Sequence, residues 1–155
     1  MLNVFVYGTL RENEANDIGR AAQRSGTAQP RWLGRGSVKG TLYDLGAYPG
    51  LVPDTAAAGE VYGDVFEIDE TLLPVLDKIE EVFPHHPREF QRSLIQVQLN
   101  GRLLPCQFYP VDAASTVGRT PIECGDWVVH RRMRDHGAQP GEADIALSKV
   151  AENAA

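Results

Sequence analysis

The stretch RSLIQVQL-NG-RLLPCQFY, from Arg92 to Tyr109, constrains the fold more than any other part of the chain. Two runs rich in leucine, β-branched and aromatic residues flank Asn100-Gly101, the dipeptide that suits a type I′ turn because both central residues need positive φ. An antiparallel hairpin is therefore expected here. Further strands are expected at NVFVY near the start, at SVKGTLYDL after a glycine-rich approach, and at EVYGDVFEI, where aromatic and β-branched residues alternate with polar ones.

Between the strands, DETLLPVLDKIEEV reads as a helix opened by Asp69 or Thr71 as a cap, with Pro74 tolerated because it falls in the first turn. A second helix is expected within ANDIGRAAQRS. Strands follow one another with little helix between them, which predicts an α+β fold: a compact, mixed, largely antiparallel β-barrel-like sheet with a few flanking helices. At 155 residues with 43% hydrophobic content, one domain with a real core is expected over residues 1–136. Residues 137–155, rich in alanine and small polar residues after a Pro-Gly, read as a C-terminal tail.

Composition narrows the function. With 15 Lys and Arg against 21 Asp and Glu, the net charge is -6 and the basic residues form no stripe, so nucleic acid is not an expected partner. No run approaches the ~18 consecutive apolar residues that span a bilayer, and the apolar start lacks a cationic flank and cleavage site. A soluble cytoplasmic protein is expected. Cys106 and Cys124 are expected as free thiols, and neither they nor the histidines, His85 and His86 side by side in PHHP included, have metal-ligand spacing. LGRGSVKG lacks the dinucleotide-binding spacing. No metal or other cofactor is implied.

Two places carry chemistry. In VYGTL the first strand stops at Gly8, which is either an ordinary strand end or a side-chain-free position that lets backbone N–H groups approach an oxyanion or carboxylate. On the helix, Leu72, Leu76, Ile79 and Phe83 form an apolar stripe widened by Leu73 and Val75. At 100° per residue Glu80 lies about 40° from Leu76 and about 20° from Leu73, whereas Glu81 lies about 140° from Leu76. Glu80 thus borders the buried face, either as a boundary residue paired with Arg88 or Arg92 or as a desolvated general base. Among the tyrosines, Tyr43, Tyr48, Tyr62 and Tyr109 are candidates either for core packing or for a cavity wall, Tyr48 first among them as a wall. Arg92 is the basic candidate for positioning Glu80 or a substrate carboxylate.

VYGTLR, GTLYDLGAYPGL, GEVYGDVFEID, LDKIE, FQRSLIQV and GDW, in this order over roughly residues 3 to 130, resemble the γ-glutamylcyclotransferase-like proteins, and within them the branch of γ-glutamylamine cyclotransferase and the AIG2-like proteins. The resemblance implies a mixed α/β barrel with a small cavity, a substrate-binding loop at Tyr7, Gly8, Thr9 and Leu10, and Glu80 as the catalytic acid and base. Many relatives have glycine after that glutamate; here Glu81 and the longer VFPHHPREF loop follow.

The activity so implied is cyclisation of a small-molecule γ-glutamyl amine, amino acid or peptide to 5-oxoproline, by a monomer or homodimer with neither nucleic acid nor membrane as partner. The alternative of a different class is a non-catalytic small-molecule-binding or regulatory domain of the same fold.

Overall fold

The computed structural model describes residues 1–82 and 92–136, with the backbone alone for 80–82. Strands β1 (Leu2–Val6), β2 (Arg31–Asp44), β4 (Glu60–Ile68), β5 (Ser93–Leu99) and β6 (Arg102–Phe108) form a barrel-like sheet in the order β2-β4-β1-β6-β5. It closes where Ser37 of β2 meets Gln98 of β5. The β1–β6 pair is parallel; the other pairings are antiparallel. Long β2 serves several partners: its first part lies along β4, and Gly40 to Asp44 pair with β3 (Pro49–Pro53), beside short β7 (Thr120–Pro121).

The expected hairpin forms with Ser93 opposite Phe108 and Leu99 opposite Arg102, and Asn100 and Gly101 take φ of 50° and 79°. Helix α1 (Ile18–Ser25) is capped by Asp17, whose side chain accepts from the N–H groups of Gly19 and Arg20, and it ends at Gly26 in the left-handed region. Asp69 rather than Thr71 opens the next helical stretch: a 3₁₀ turn, Glu70–Leu72, leads into α2 (Leu73–Val82), with Pro74 in the first turn as expected. The expectations for Phe83, the VFPHHPREF loop and the 137–155 tail fall outside the described residues.

Three elements differ from the sequence reading. The glycine-rich approach to SVKGTLYDL is itself part of β2, because a glycine strand position lets the barrel wall close: a Cβ at Gly36 would stand 2.5 Å from Cγ1 of Val97. Strand β3 and helix α3 (Trp127–His136) carry no periodic apolar signal. PGLVP is short with a proline at each end, and α3 buries only its first residue, Trp127, completely.

Strand β1 explains the packing. Phe5 and Tyr7 face the barrel interior with Val61, Val65, Val97, Cys106, Phe108 and Trp127. Val4 and Val6 face the other way, onto Ile18, Ala21 and Ala22 of α1 and Leu72 and Leu76 of the α2 region. A strand stretch with a core on both sides is apolar at successive positions, which is why Val4 to Tyr7 show no alternation. Among the described residues no helix is long and apolar enough to cross a membrane.

The two thiols are free and differ in setting: Cys106 is buried in the barrel and Cys124 is exposed. Burial pushes the Cys106 thiol up to about 11, so its reactive thiolate is scarce at neutral pH. A colourless thiol reagent such as dithionitrobenzoate, added to the native protein at pH 8, should label Cys124 promptly and Cys106 only after denaturant; fast labelling of both would show that the barrel opens at β6.

Candidate functional site

At the end of β1 the Tyr7 hydroxyl donates to the backbone carbonyl of Tyr109, just past β6, and accepts from the N–H of Leu51 in β3 at 3.3 Å. One buried oxygen thereby fixes the strand end against two other strands. The chain then turns. The carbonyl of Gly8 accepts from Arg11 N–H at 3.1 Å, that of Thr9 from Asn16 N–H at 2.8 Å, and that of Leu10 from Ile18 N–H at 2.9 Å. Among the described residues none accepts a hydrogen bond from the N–H of Gly8, Thr9 or Leu10.

These residues line a cleft together with Tyr48 and Pro49, Tyr109, and Ile79 of α2. Gly8 is needed for the approach of Pro49, since a Cβ there would stand 2.7 Å from the proline Cγ. The sequence candidates Tyr7, Gly8, Thr9, Leu10 and Tyr48 therefore come together, and Tyr109 joins them. Tyr43 and Tyr62 lie elsewhere: Tyr43 sits in the β2–β3–β7 ladder, and Tyr62 lies under the Arg35 guanidinium, 4.8 Å from its ring centroid. Glu80 directly follows Ile79 in the last turn of α2. The expected inward placement of the Glu80 carboxylate, and the outward one of Glu81, lie outside the described residues, as does Arg88.

Arg92 pairs with Asp77 of α2, whose other carboxylate oxygen accepts from the Tyr109 hydroxyl at 2.6 Å. Asp77 was not singled out in the sequence, although LDKIE places it one helical turn before Glu80. Arg11 was missed too. Its Nε donates to Asp64 of β4 at 3.0 Å and its NH1 to Asp126 at 2.9 Å. Burial opposes the Arg11 charge, but Asp64 and Asp126 outweigh it and hold the guanidinium above its ordinary pKa. Asp126 also accepts from Arg35 and caps α3 through the N–H groups of Val128 and Val129. The VYGTLR and GDW stretches thus meet at one ion cluster. Among the described residues, no three His, Cys, Asp or Glu side chains gather as a metal site.

The family model for γ-glutamyl cyclotransferase, AIG2-like, matches residues 4–129. The chain belongs to that family. It is 33% identical over 134 residues to the γ-glutamylcyclotransferase family protein YtfP of Escherichia coli K12, covering 82% of this chain and 96% of that protein. The chain spans only 60% of the length of a Drosophila melanogaster relative, at 36% identity over 100 residues and 60% of this chain. The crystal structure of an AIG2-like protein from Mus musculus superposes with a TM-score of 0.64 at 27% identity, over 79% of this chain and 86% of that one.

The ion cluster predicts a stability effect. Arg11→Met leaves Asp64 and Asp126 facing each other without their shared cation, and should cost about 3–5 kcal/mol in urea unfolding. A loss below about 1 kcal/mol would show that solvent screens the cluster.

A second anchor holds the segment that carries Tyr48. Asp44 accepts from His130 Nε2 at 2.8 Å, from Gly46 N–H at 2.8 Å and from Arg134 at 3.0 Å. Burial raises the Asp44 pKa, but the bonds from His130, Gly46 and Arg134 outweigh it and leave the carboxyl below its ordinary value of 3.8. A carboxyl depressed on folding stabilises the fold above its unfolded pKa, and that contribution is lost as pH falls through the folded value. The melting temperature of Asp44→Asn should therefore lie below the parent's at pH 6 and converge with it towards pH 3. A constant gap across that range would remove Asp44 from the acid response.

Proposed function

We propose that this protein is a γ-glutamyl cyclotransferase that closes a γ-glutamyl group onto its own α-amine. In such a substrate the amine and the γ-carbonyl belong to one molecule, so a folded pose supplies the nucleophile at high effective concentration. The amine nitrogen attacks the γ-carbonyl carbon and a C–N bond forms. Glu80 takes the proton that the nitrogen sheds. The carbonyl oxygen, now an oxyanion, accepts from N–H groups of the Gly8 to Leu10 loop. Collapse breaks the original amide C–N bond, Glu80 returns the proton to the departing nitrogen, and the products are 5-oxoproline and a free amine. Atoms and protons balance without a cofactor.

One observation carries this reading: Gly8, Thr9 and Leu10 have their carbonyls turned into bonds with their own chain and N–H groups without an acceptor among the described residues, and these three residues line a cleft that Ile79 of α2 also lines. Donors fixed in place before the substrate arrives are what an oxyanion requires. Glu80 directly follows Ile79 in α2, and this succession supports its choice as the base.

Incubation with γ-glutamyl amines, γ-glutamyl amino acids and glutathione, followed by assay of 5-oxoproline, tests the activity. Glu80→Gln keeps the shape of the side chain and should lower turnover by roughly 10²–10⁴-fold, the usual worth of a positioned base, at a nearly unchanged melting temperature. Glu81→Gln should retain most of the activity. Equal losses in the two variants would refute the choice of Glu80, and saturable binding of these compounds without release of 5-oxoproline would make the protein a non-catalytic binding domain.

A further inference from the structure

We infer that Asp77 is a positioning residue for this cyclotransfer: by holding Tyr109 and Arg92 it fixes the last turn of α2, which bears Glu80, against the cleft. The inference rests on the cyclotransferase reading. Its grounds are the distribution of contacts along the helix. Leu72 and Leu76 are completely buried and tie the start of the helical stretch to the sheet. Beyond them Ile79, which lines the cleft and immediately precedes the proposed base, is only partly buried. Helix ends with few buried contacts open most readily.

Asp77 stands at that transition and is held from two sides. One carboxylate oxygen accepts from the buried Tyr109 hydroxyl at 2.6 Å and the other from Arg92, just before β5. The Tyr109 carbonyl in turn accepts from the Tyr7 hydroxyl. A continuous line of bonds therefore runs from the strand end that begins the oxyanion-binding loop, through the cleft wall at Tyr109, to the helix that bears the base. The Asp77 and Arg92 side chains are 37% and 33% exposed, so their ion pair contributes little to global stability. Its geometric effect is larger, because a displacement of about 1 Å between a base and its target costs on the order of 100-fold in rate.

Asp77→Ala should lower kcat by roughly 10–100-fold with KM within about twofold of the parent, since the cleft walls remain. Asp77→Asn should recover most of the rate, because its amide oxygen still accepts from Tyr109, whereas Tyr109→Phe should repeat the loss. The double variant Asp77→Ala/Tyr109→Phe should be no slower than Asp77→Ala, as expected when both act through one bond. Hydrogen exchange at the backbone amides of residues 79–82 should quicken in Asp77→Ala and Tyr109→Phe, a local response that a general loss of stability would spread over the barrel. An active parent whose Asp77→Ala variant keeps its kcat, loses only KM, exchanges like the parent at 79–82, or multiplies its loss with that of Tyr109→Phe overturns the positioning role alone. A parent that releases no 5-oxoproline from any γ-glutamyl compound overturns the cyclotransferase reading, and the positioning role with it.

Discussion

The partly buried guanidinium of Arg11 is the contact on which the arrangement of this fold depends. It follows directly on the Tyr7 to Leu10 loop, and it bridges Asp64 in a central barrel strand and Asp126 at the start of α3. Without its cation the two carboxylates would repel each other inside a poorly hydrated corner, so the loop, the strand and the helix are held or released together. The bidentate reach of a guanidinium suits this task; a lysine in its place would have to choose between the partners. Cost follows from the same geometry, because burial of the charge is offset only while both acids stay in position.

The loop also depends on the barrel beneath it. Phe5 and Tyr7 point inward and Val4 and Val6 outward, so β1 is packed between two cores and has little freedom to slide. A register shift of one residue would exchange every side chain between those cores. The strand end is thus placed by packing, and the Tyr7 hydroxyl, bonded to Tyr109 and Leu51, completes the placement with directional contacts. Rigidity of this kind lets backbone donors be aimed before a ligand binds.

Much of this was legible in the sequence where local chemistry acts alone. Asn100-Gly101 defined the hairpin, and alternation marked β4. What escaped depends on partners distant in the chain. PGLVP becomes a strand only because β2 is long enough to extend past β4, and α3 forms where Asp126 caps it and Trp127 enters the barrel. Of the candidate site, the loop residues and Tyr48 were legible because a glycine at a strand end and an aromatic beside a proline are local signals. Asp77 and Arg11 were not, since a charged residue on a helix or after a turn reads as solvated until its buried partners are known. Arg92 is a sequence candidate for positioning Glu80 or a substrate carboxylate; among the described residues it pairs with Asp77.

Gly8 joins the two answers that its position allowed. As packing, it lets Pro49 sit where a Cβ would stand only 2.7 Å away, which brings the Tyr48 segment down onto the loop and forms one side of the cleft. In the proposed chemistry, the same absence of a side chain is what lets a substrate oxygen approach the adjoining N–H groups. A larger residue at this position would therefore do two kinds of damage through one steric cause, pushing the Pro49 wall outward and covering the donors. The turn bonds oppose any easy relief, because the carbonyls of Gly8, Thr9 and Leu10 are engaged with Arg11, Asn16 and Ile18, and the backbone cannot rotate to make room without breaking them. Structural and functional demands on Gly8 are in this sense one demand, made by the closeness of two chain segments.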